Sequence, residues 1–331
     1  MKLFKRSTLI GFAAVGVFAL AHVQLASAQD LKVRISTDST PGAATQVILA
    51  AFRDALKDEL GDKITVEYFD SGQLGDEIVH MEQVRTGQID VVPIGSDAVQ
   101  LDSKWAIFDM PFLFPNFEKA HAFLDSPLGD EMKASMRDSV GLQVLALGDV
   151  GFRHITNNRG PIVKPEDLKG LKMRVPGSKT RIMAFEHFGA APVTMNMGEL
   201  YLALQQGTMD GQENPLQSVI SRSMQEVQKY LSLSSHVFTP STLVMNGARW
   251  DSLNDEQKSA FSRAATKAVT VSRDYVAKAD VEGRTTLAKS MEVNEIDSAA
   301  FQAAAIPVWD EIAKAAGGNF GTRVIAFVTA K

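Results

Sequence analysis

Two rhythms of apolar and polar residues alternate along this chain, and each time one stops the other begins. Leu31–Ser36 places Leu31, Val33 and Ile35 at every second position and predicts a strand. Over residues 42–60, Val47, Ile48, Ala51, Phe52, Ala55 and Leu56 recur at three- and four-residue spacing, which predicts a helix stopped by Gly61. Ile64, Val66 and Tyr68 alternate with Thr65 and Glu67 and predict a second strand. Residues 77–86 read as a short helix ended by Gly87, and residues 89–94 as a third strand. This β-α-β-α-β order argues for a mainly parallel sheet.

The second half repeats the alternation without repeating the sequence. Strands are predicted at 142–147, 152–157 and 171–175. Pro176-Gly177 ends the last of these, and Ser178 reads as the N-cap of a helix over 179–188. Further helices are expected at 197–206 and at 215–231, the latter with Asn214 as N-cap and Pro215 in the first turn. Asn254 and Gln257 form a reciprocal capping pattern, after which helical spacing persists to Lys289 with Gly283 as its one weak point. A helix of that length suits a chain leaving one domain and entering another. A final helix over 298–316 is expected to bend at Pro307. Pattern alone therefore gives an α/β chain in two lobes.

The 331 residues, with 45% hydrophobic content, are enough for two ordinary domains. Lys2, Lys5 and Arg6, an apolar core at 9–21 and the small residues Ala26-Ser27-Ala28 read as a signal peptide, 1–28, cleaved after Ala28. The core is too short to span a bilayer comfortably, which argues against a retained anchor. Loss of the leader makes the net charge of −5 three units more negative. An acidic chain without a basic, aromatic-interleaved patch is unsuited to nucleic acid. There is no cysteine, hence no disulfide frame, thiolate chemistry or lipid-modified N-terminal Cys.

Enzyme signatures are missing. No H-E-x-x-H, glycine-rich phosphate loop or G-x-S-x-G elbow occurs, and no histidine pair has metal-ligand spacing. No cofactor and no metal is expected. What stands out instead is Gly170-Leu171-Lys172-Met173-Arg174-Val175-Pro176, followed by Asp210-Gly211-Gln212-Glu213-Asn214-Pro215. Arg174 falls at the carboxyl end of a strand, where open α/β sheets place their ligands, and its guanidinium fork fits a carboxylate. The same Arg could instead be a surface residue paired with Glu166 or Asp167, and Asn214 could be only a cap.

These segments resemble the solute-binding proteins of tripartite ATP-independent periplasmic (TRAP) transporters, of the DctP type. The likeness extends over 165–176, 199–205 and 210–215, and upstream over Ser71-Gly72-Gln73-Leu74-Gly75 and Phe108-Asp109-Met110-Pro111-Phe112-Leu113-Phe114. It implies a two-lobed periplasmic-binding-protein-like fold with a ligand cleft between lobes and a long helix spanning both. Lobe I would take 30–150 plus 240–279, and lobe II 151–239 plus 280–331.

The resemblance also implies a monomeric periplasmic receptor that makes and breaks no bond. It would capture a small organic acid and deliver it to a TRAP-type permease driven by an ion gradient. Arg174 would form the principal ion pair, Arg153 a second charged hydrogen bond, and Asn214 would donate its amide to the carboxylate. Asp38 and Ser96 would add polar contacts from lobe I, and Met197 an apolar wall. Gly95 stands where some members carry a ligand-contacting acid. His154 and His187 are the histidines nearest these motifs, and His154 is a further candidate contact. Gln212 and Glu213 read as structural. The motif around Gln212 favours a sugar acid such as a uronate or aldonate. C4-dicarboxylates and hydroxy- or keto-carboxylates remain alternatives, as do a sensory receptor on the same fold and, last, a secreted hydrolase or lyase using Glu213 or Asp210.

Overall fold

The computed structural model describes residues 31–330, so the leader and the expected cleavage after Ala28 lie outside the described residues. The chain begins with the expected alternation: β1 (Leu31–Ser36), α1 (Ala44–Leu60), β2 (Ile64–Phe69), α2 (Glu77–Thr86) and β3 (Val91–Ile94). Two helices follow that the hydrophobic pattern did not announce, α3 (Phe117–Leu124) and α4 (Pro127–Val140). Their caps are chemical, since the side chains of Asn116 and Ser126 accept hydrogen bonds from the first-turn N–H groups. Then come β4 (Leu142–Phe152), β5 (His154–Asn157), β6 (Lys172–Val175), α5 (Lys179–His187), β7 (Ala191–Thr194), α6 (Met197–Gln205), β8 (Gly211–Asn214) and α7 (Leu216–Ser221). The chain closes with β9 (Tyr230–Leu233), β10 (Phe238–Asn246), α8 (Gly247–Asp251), α9 (Asp255–Leu287), β11 (Glu292–Glu295), α10 (Ser298–Ala315) and α11 (Asn319–Thr329).

The strands form two sheets, one per lobe. The first has the order β2-β1-β3-β10-β4 and the second β11-β9-β5-β8-β6-β7. In the first, β1 is parallel to β2 and β3, while β10 runs antiparallel to β3 and β4. In the second, β6 is parallel to β7 and β8, and β5 is antiparallel to β8. The chain crosses between lobes where β4 gives way to β5 and where β9 gives way to β10. These crossings pair with each other: Arg153 N–H donates to the Val237 carbonyl at 3.0 Å, and His236 N–H to the Arg153 carbonyl at 3.3 Å.

The third crossing is α9, whose start is held by the reciprocal Asn254–Gln257 cap expected from sequence. Its Ala260, Phe261, Ala264, Ala265 and Ala268 are buried in a first-lobe core with Phe52 and Leu56, whereas Leu287 joins a second-lobe core with Leu216 and Leu231. Gly283 costs the helix about 1 kcal/mol relative to Ala. It also permits the close packing of α9 on α7, because a Cβ there would stand 2.8 Å from Leu216 Cβ.

Four local expectations are corrected. The helix expected over 215–231 is only α7, because Ser223 adopts left-handed backbone (φ 53°) and Leu231 and Leu233 then alternate into β9. Asn214 is not the N-cap of that helix but the last residue of β8; the extended Pro215 occupies the cap position without a side-chain bond. β8 escaped detection because Gly-Gln-Glu-Asn contains no typical strand former, yet all four residues are buried. The strand expected at 142–147 continues to Phe152, and 152–157 splits at Arg153.

The carboxyl-terminal helices straddle the lobes. Phe301 and Ala305 on α10 pack with Phe185 and Phe188 of the second lobe. From Val308 onward, with Ile312, Phe320 and Val324, the chain packs into the first-lobe core around Trp105. Among the described residues no helix is long and apolar enough to cross a membrane.

Candidate carboxylate-binding cleft

Strand direction decides where the polar groups gather. The carboxyl ends of β1, β2 and β3 present Asp38, Glu77 and Gly95-Ser96-Asp97 from the first lobe. The carboxyl ends of β6, β7 and β8 present Arg174, residues 194–196 and Asn214 from the second. Because β5 is antiparallel to β8, with His154 opposite Asn214, the start of β5 brings Arg153 to the same end. These groups line a cavity of about 310 Å³ between the lobes, within the range of small-ligand sites.

Arg174 lies on β6, where Met173 and Val175 point into the core and Arg174 points the other way, yet it is only 2% exposed. Its Nε and Nη2 donate to the Met195 carbonyl at 2.9 and 2.6 Å, while Nη1 is buried without a partner among the described residues. Burial, and then the adjacent Arg153 charge, pull its pKa down to about 10, so it stays charged at neutral pH. It does not pair with Glu166 or Asp167; Asp167 accepts instead from the Val163 and Lys164 N–H groups. A buried cation with an unsatisfied nitrogen on a cavity wall is a charge waiting for an anion.

Arg153 also lines the cavity but is committed to the protein. Its Nε meets Glu213 Oε2 at 2.5 Å, and Nη2 reaches the Glu213 carbonyl at 2.5 Å and Asn214 Oδ1 at 3.0 Å. Glu213 is fully buried and is bound as well by Arg181 Nη1 at 2.9 Å and His236 Nε2 at 3.1 Å. Burial opposes its ionisation, but the charges of Arg153 and Arg181 prevail and hold its carboxyl well below the usual range. Arg181 in turn binds Asp109, which also accepts from the hydroxyls of Ser178 and Thr180. Ser178 serves twice, since its Oγ accepts from the Arg181 N–H as the expected N-cap of α5. Glu213 is thus a buried anchor, with no acid–base role in reach of solvent.

Asn214 lines the cavity with Oδ1 fixed by Arg153 and Nδ2 donating to Gln212 Oε1. Gln212 Nε2 continues to Thr156 Oγ1 at 2.8 Å. The chain of bonds orients the Asn214 amide and leaves its second N–H for the cleft. Asp38 and Ser96 line the first-lobe wall, and Met197 the second. His154 is placed elsewhere: it is fully buried, accepts from the Ser235 N–H through Nδ1 and faces Asp280 on α9 at 3.4 Å. It ties β5 to the crossing helix and does not line the cavity. His187 caps nothing in the cleft either; its ring faces the Ala304 carbonyl.

The two walls touch around the cavity. Gly177 N–H donates to Asp97 Oδ1 at 2.8 Å, Asn196 Nδ2 to Asp76 Oδ2 at 2.7 Å, and Arg222 Nη2 to Asp38 Oδ2 at 3.2 Å. The lobes are therefore in a closed arrangement. Glu77, Asp97, Arg181, His236 and Arg222 were not legible as site residues, because each gains its role only from a partner distant in sequence. The one available signal was Asp109, within the motif at 108–114.

The chain matches the family model described as bacterial extracellular solute-binding protein, family 7, over residues 28–315. A relative is the 2,3-diketo-L-gulonate-binding periplasmic protein YiaO of Escherichia coli (strain K12), 36% identical over 274 residues, with 82% of each chain covered. A TRAP periplasmic solute-binding protein from Polaromonas sp. JS666, solved bound to D-erythronate, has a TM-score of 0.85 at 32% identity, covering 91% of this chain and 100% of that one. Another from Roseobacter denitrificans, solved with bound β-D-glucuronate, has a TM-score of 0.85 at 29% identity, covering 91% and 99%.

Proposed function

Since this chain belongs to the bacterial extracellular solute-binding protein family 7, we propose that it captures a sugar acid between its lobes and delivers it to a TRAP-type membrane permease. The carrying observation is Arg174: a buried guanidinium, fixed by the Met195 carbonyl, whose Nη1 lacks a partner beside a cavity of about 310 Å³. A carboxylate would supply that partner in the charge-assisted geometry Arg favours. Arg153 and Asn214 stand beside it for the second oxygen or a neighbouring hydroxyl. Asp38 and Ser96 can bond further hydroxyls from the opposite wall, and Met197 supplies an adaptable apolar edge. The sugar acids named for similar proteins fit such a cleft, with one carboxylate and several hydroxyls or carbonyls.

The receptor works by binding alone, as a monomer in the periplasm after removal of residues 1–28. The test is a thermal-shift screen of the mature protein against organic acids, with Arg174→Ala in parallel. At 100 times its dissociation constant a true ligand stabilises by about 2.7 kcal/mol. A screen in which sugar acids shift the wild type no more than the variant would overturn the reading.

A further inference from the structure

The first-lobe wall carries more negative charge than a site for an anion requires. Asp38, Glu77 and Asp97 bring three carboxyl groups to the face opposite Arg153 and Arg174. Glu77 Oε1 accepts from Gly95 N–H at 2.8 Å, and Asp97 Oδ1 from Gly177 N–H at 2.8 Å and Gln100 Nε2 at 2.7 Å. The second oxygen of each, Glu77 Oε2 and Asp97 Oδ2, takes no protein partner among the described residues. Gly95 leaves this space open: a Cβ there would stand 3.7 and 3.8 Å from the two Glu77 oxygens, so a longer side chain would displace that carboxyl. Glu77 therefore supplies from α2 an acidic group at the position that Gly95 leaves empty. On the other wall, the unpartnered Arg174 Nη1 calls for an anion.

We propose that Asp38, Glu77 and Asp97 are the specificity-determining wall of the cleft, accepting the hydroxyl-bearing end of a monocarboxylate held by Arg174 and rejecting a second carboxylate. This rests on the reading of the cleft as an organic-acid site and narrows it. A dicarboxylate long enough to reach across would set its second charge against Asp97 and Asp38, with Arg222 of the second lobe already paired to Asp38. A hydroxyl instead donates to the free oxygens. Burial, and then the Asp97 and Asp38 charges, raise the Glu77 pKa well above the usual carboxyl range, against the weaker pull of the Gly95 N–H and Arg174.

The test uses matched acids that differ only at the far end: D-erythronate against meso-tartrate, and D-galactonate against galactarate, by titration calorimetry on the full mature chain. The wild type should bind the monocarboxylate of a pair at least tenfold more tightly. The double variant Glu77→Gln/Asp97→Asn keeps every protein hydrogen bond described above, since Oε1 and Oδ1 are retained. It should reduce the preference at least tenfold through gain of the dicarboxylate. A wild type that binds both members of a pair equally overturns the proposal without any variant, as does an unchanged preference in the double variant. Failure of the wild type to bind any of the four acids, or any other organic acid in the screen, would overturn the underlying reading and this one with it.

Discussion

Arg153 and Arg174 stand on the same wall of one cavity, yet among the described residues only Arg153 is paired with a carboxylate. Glu213 holds Arg153 at 2.5 Å, whereas Arg174 rests on the neutral Met195 carbonyl and leaves Nη1 unpartnered. One guanidinium builds the site and the other waits for its ligand.

Arg174→Ala should leave a folded protein whose unliganded form is no less stable, because the replaced cation lacks a full set of partners. Organic-acid affinity should fall by about 2–5 kcal/mol, as for a truncated buried charge pair. Lys should rescue poorly, since it offers a point charge without the fork. Calorimetry on the three proteins checks this, and near-native affinity in the Ala variant would remove Arg174 from the site.

Glu213 should behave as a stability residue. Replacing it with Gln leaves Arg153 and Arg181 buried without their shared anion, at a cost of about 3–5 kcal/mol. Its native pKa is depressed, so its contribution is complete above the unfolded value of about 4.3 and is lost as pH falls from there toward the native one. Denaturant titrations of wild type and Glu213→Gln at pH 7 and pH 3 should show the gap narrowing in acid. A gap that is small at pH 7 would mean the network does not carry the fold.

The first three strands, the long crossing helix and the position of Arg174 were legible in the sequence, because apolar periodicity and a strand-ending Pro-Gly are local signals; β10, whose antiparallel pairing makes the first sheet mixed rather than mainly parallel, was not. β8 was missed too, since its buried side chains are polar and are satisfied largely by partners on other elements: Gln212 by Thr156, and Glu213 by Arg153, Arg181 and His236. His154 misled for the converse reason. Its neighbour Arg153 faces the cleft, and only the packing of α9 shows that the His ring is turned toward Asp280. A pattern of hydrophobicity cannot report a buried polar network, which looks like surface until the chain is folded.

Glu77 carries the opposite sign to Glu213. Its native pKa is raised, so above the unfolded value of about 4.3 the native state holds a proton that the unfolded chain has lost, and stability falls with rising pH. The slope from this group is at most about 1.4 kcal/mol per pH unit, until the raised native pKa is passed. Ligand-free Glu77→Gln should therefore melt higher than wild type at pH 7, with the advantage vanishing near pH 4. Melting curves across that range check it, and parallel curves would show that Glu77 ionises freely.

Closure of the lobes should depend on the space beside Gly177. This residue belongs to the second lobe, yet its N–H bonds to Asp97 of the first, and a Cβ there would stand 2.4 Å from Gln100 Nε2 and 2.6 Å from Asp97 Oδ1. A side chain must push both groups aside and break the N–H···carboxylate bond, whose type contributes about 1.5–3 kcal/mol. That loss falls on the closed form alone, because opening separates the two walls. A ligand favours closure only by its differential affinity for that form, and moving the population from 1:99 to 99:1 needs about 5.5 kcal/mol. Gly177→Val should thus keep the melting temperature of the empty protein while weakening ligand by about tenfold or more. Small-angle scattering at saturating ligand should show a compact wild type and a larger radius of gyration in the variant. Equal radii, with binding confirmed in both samples, would mean that the contact at Gly177 forms no part of closure.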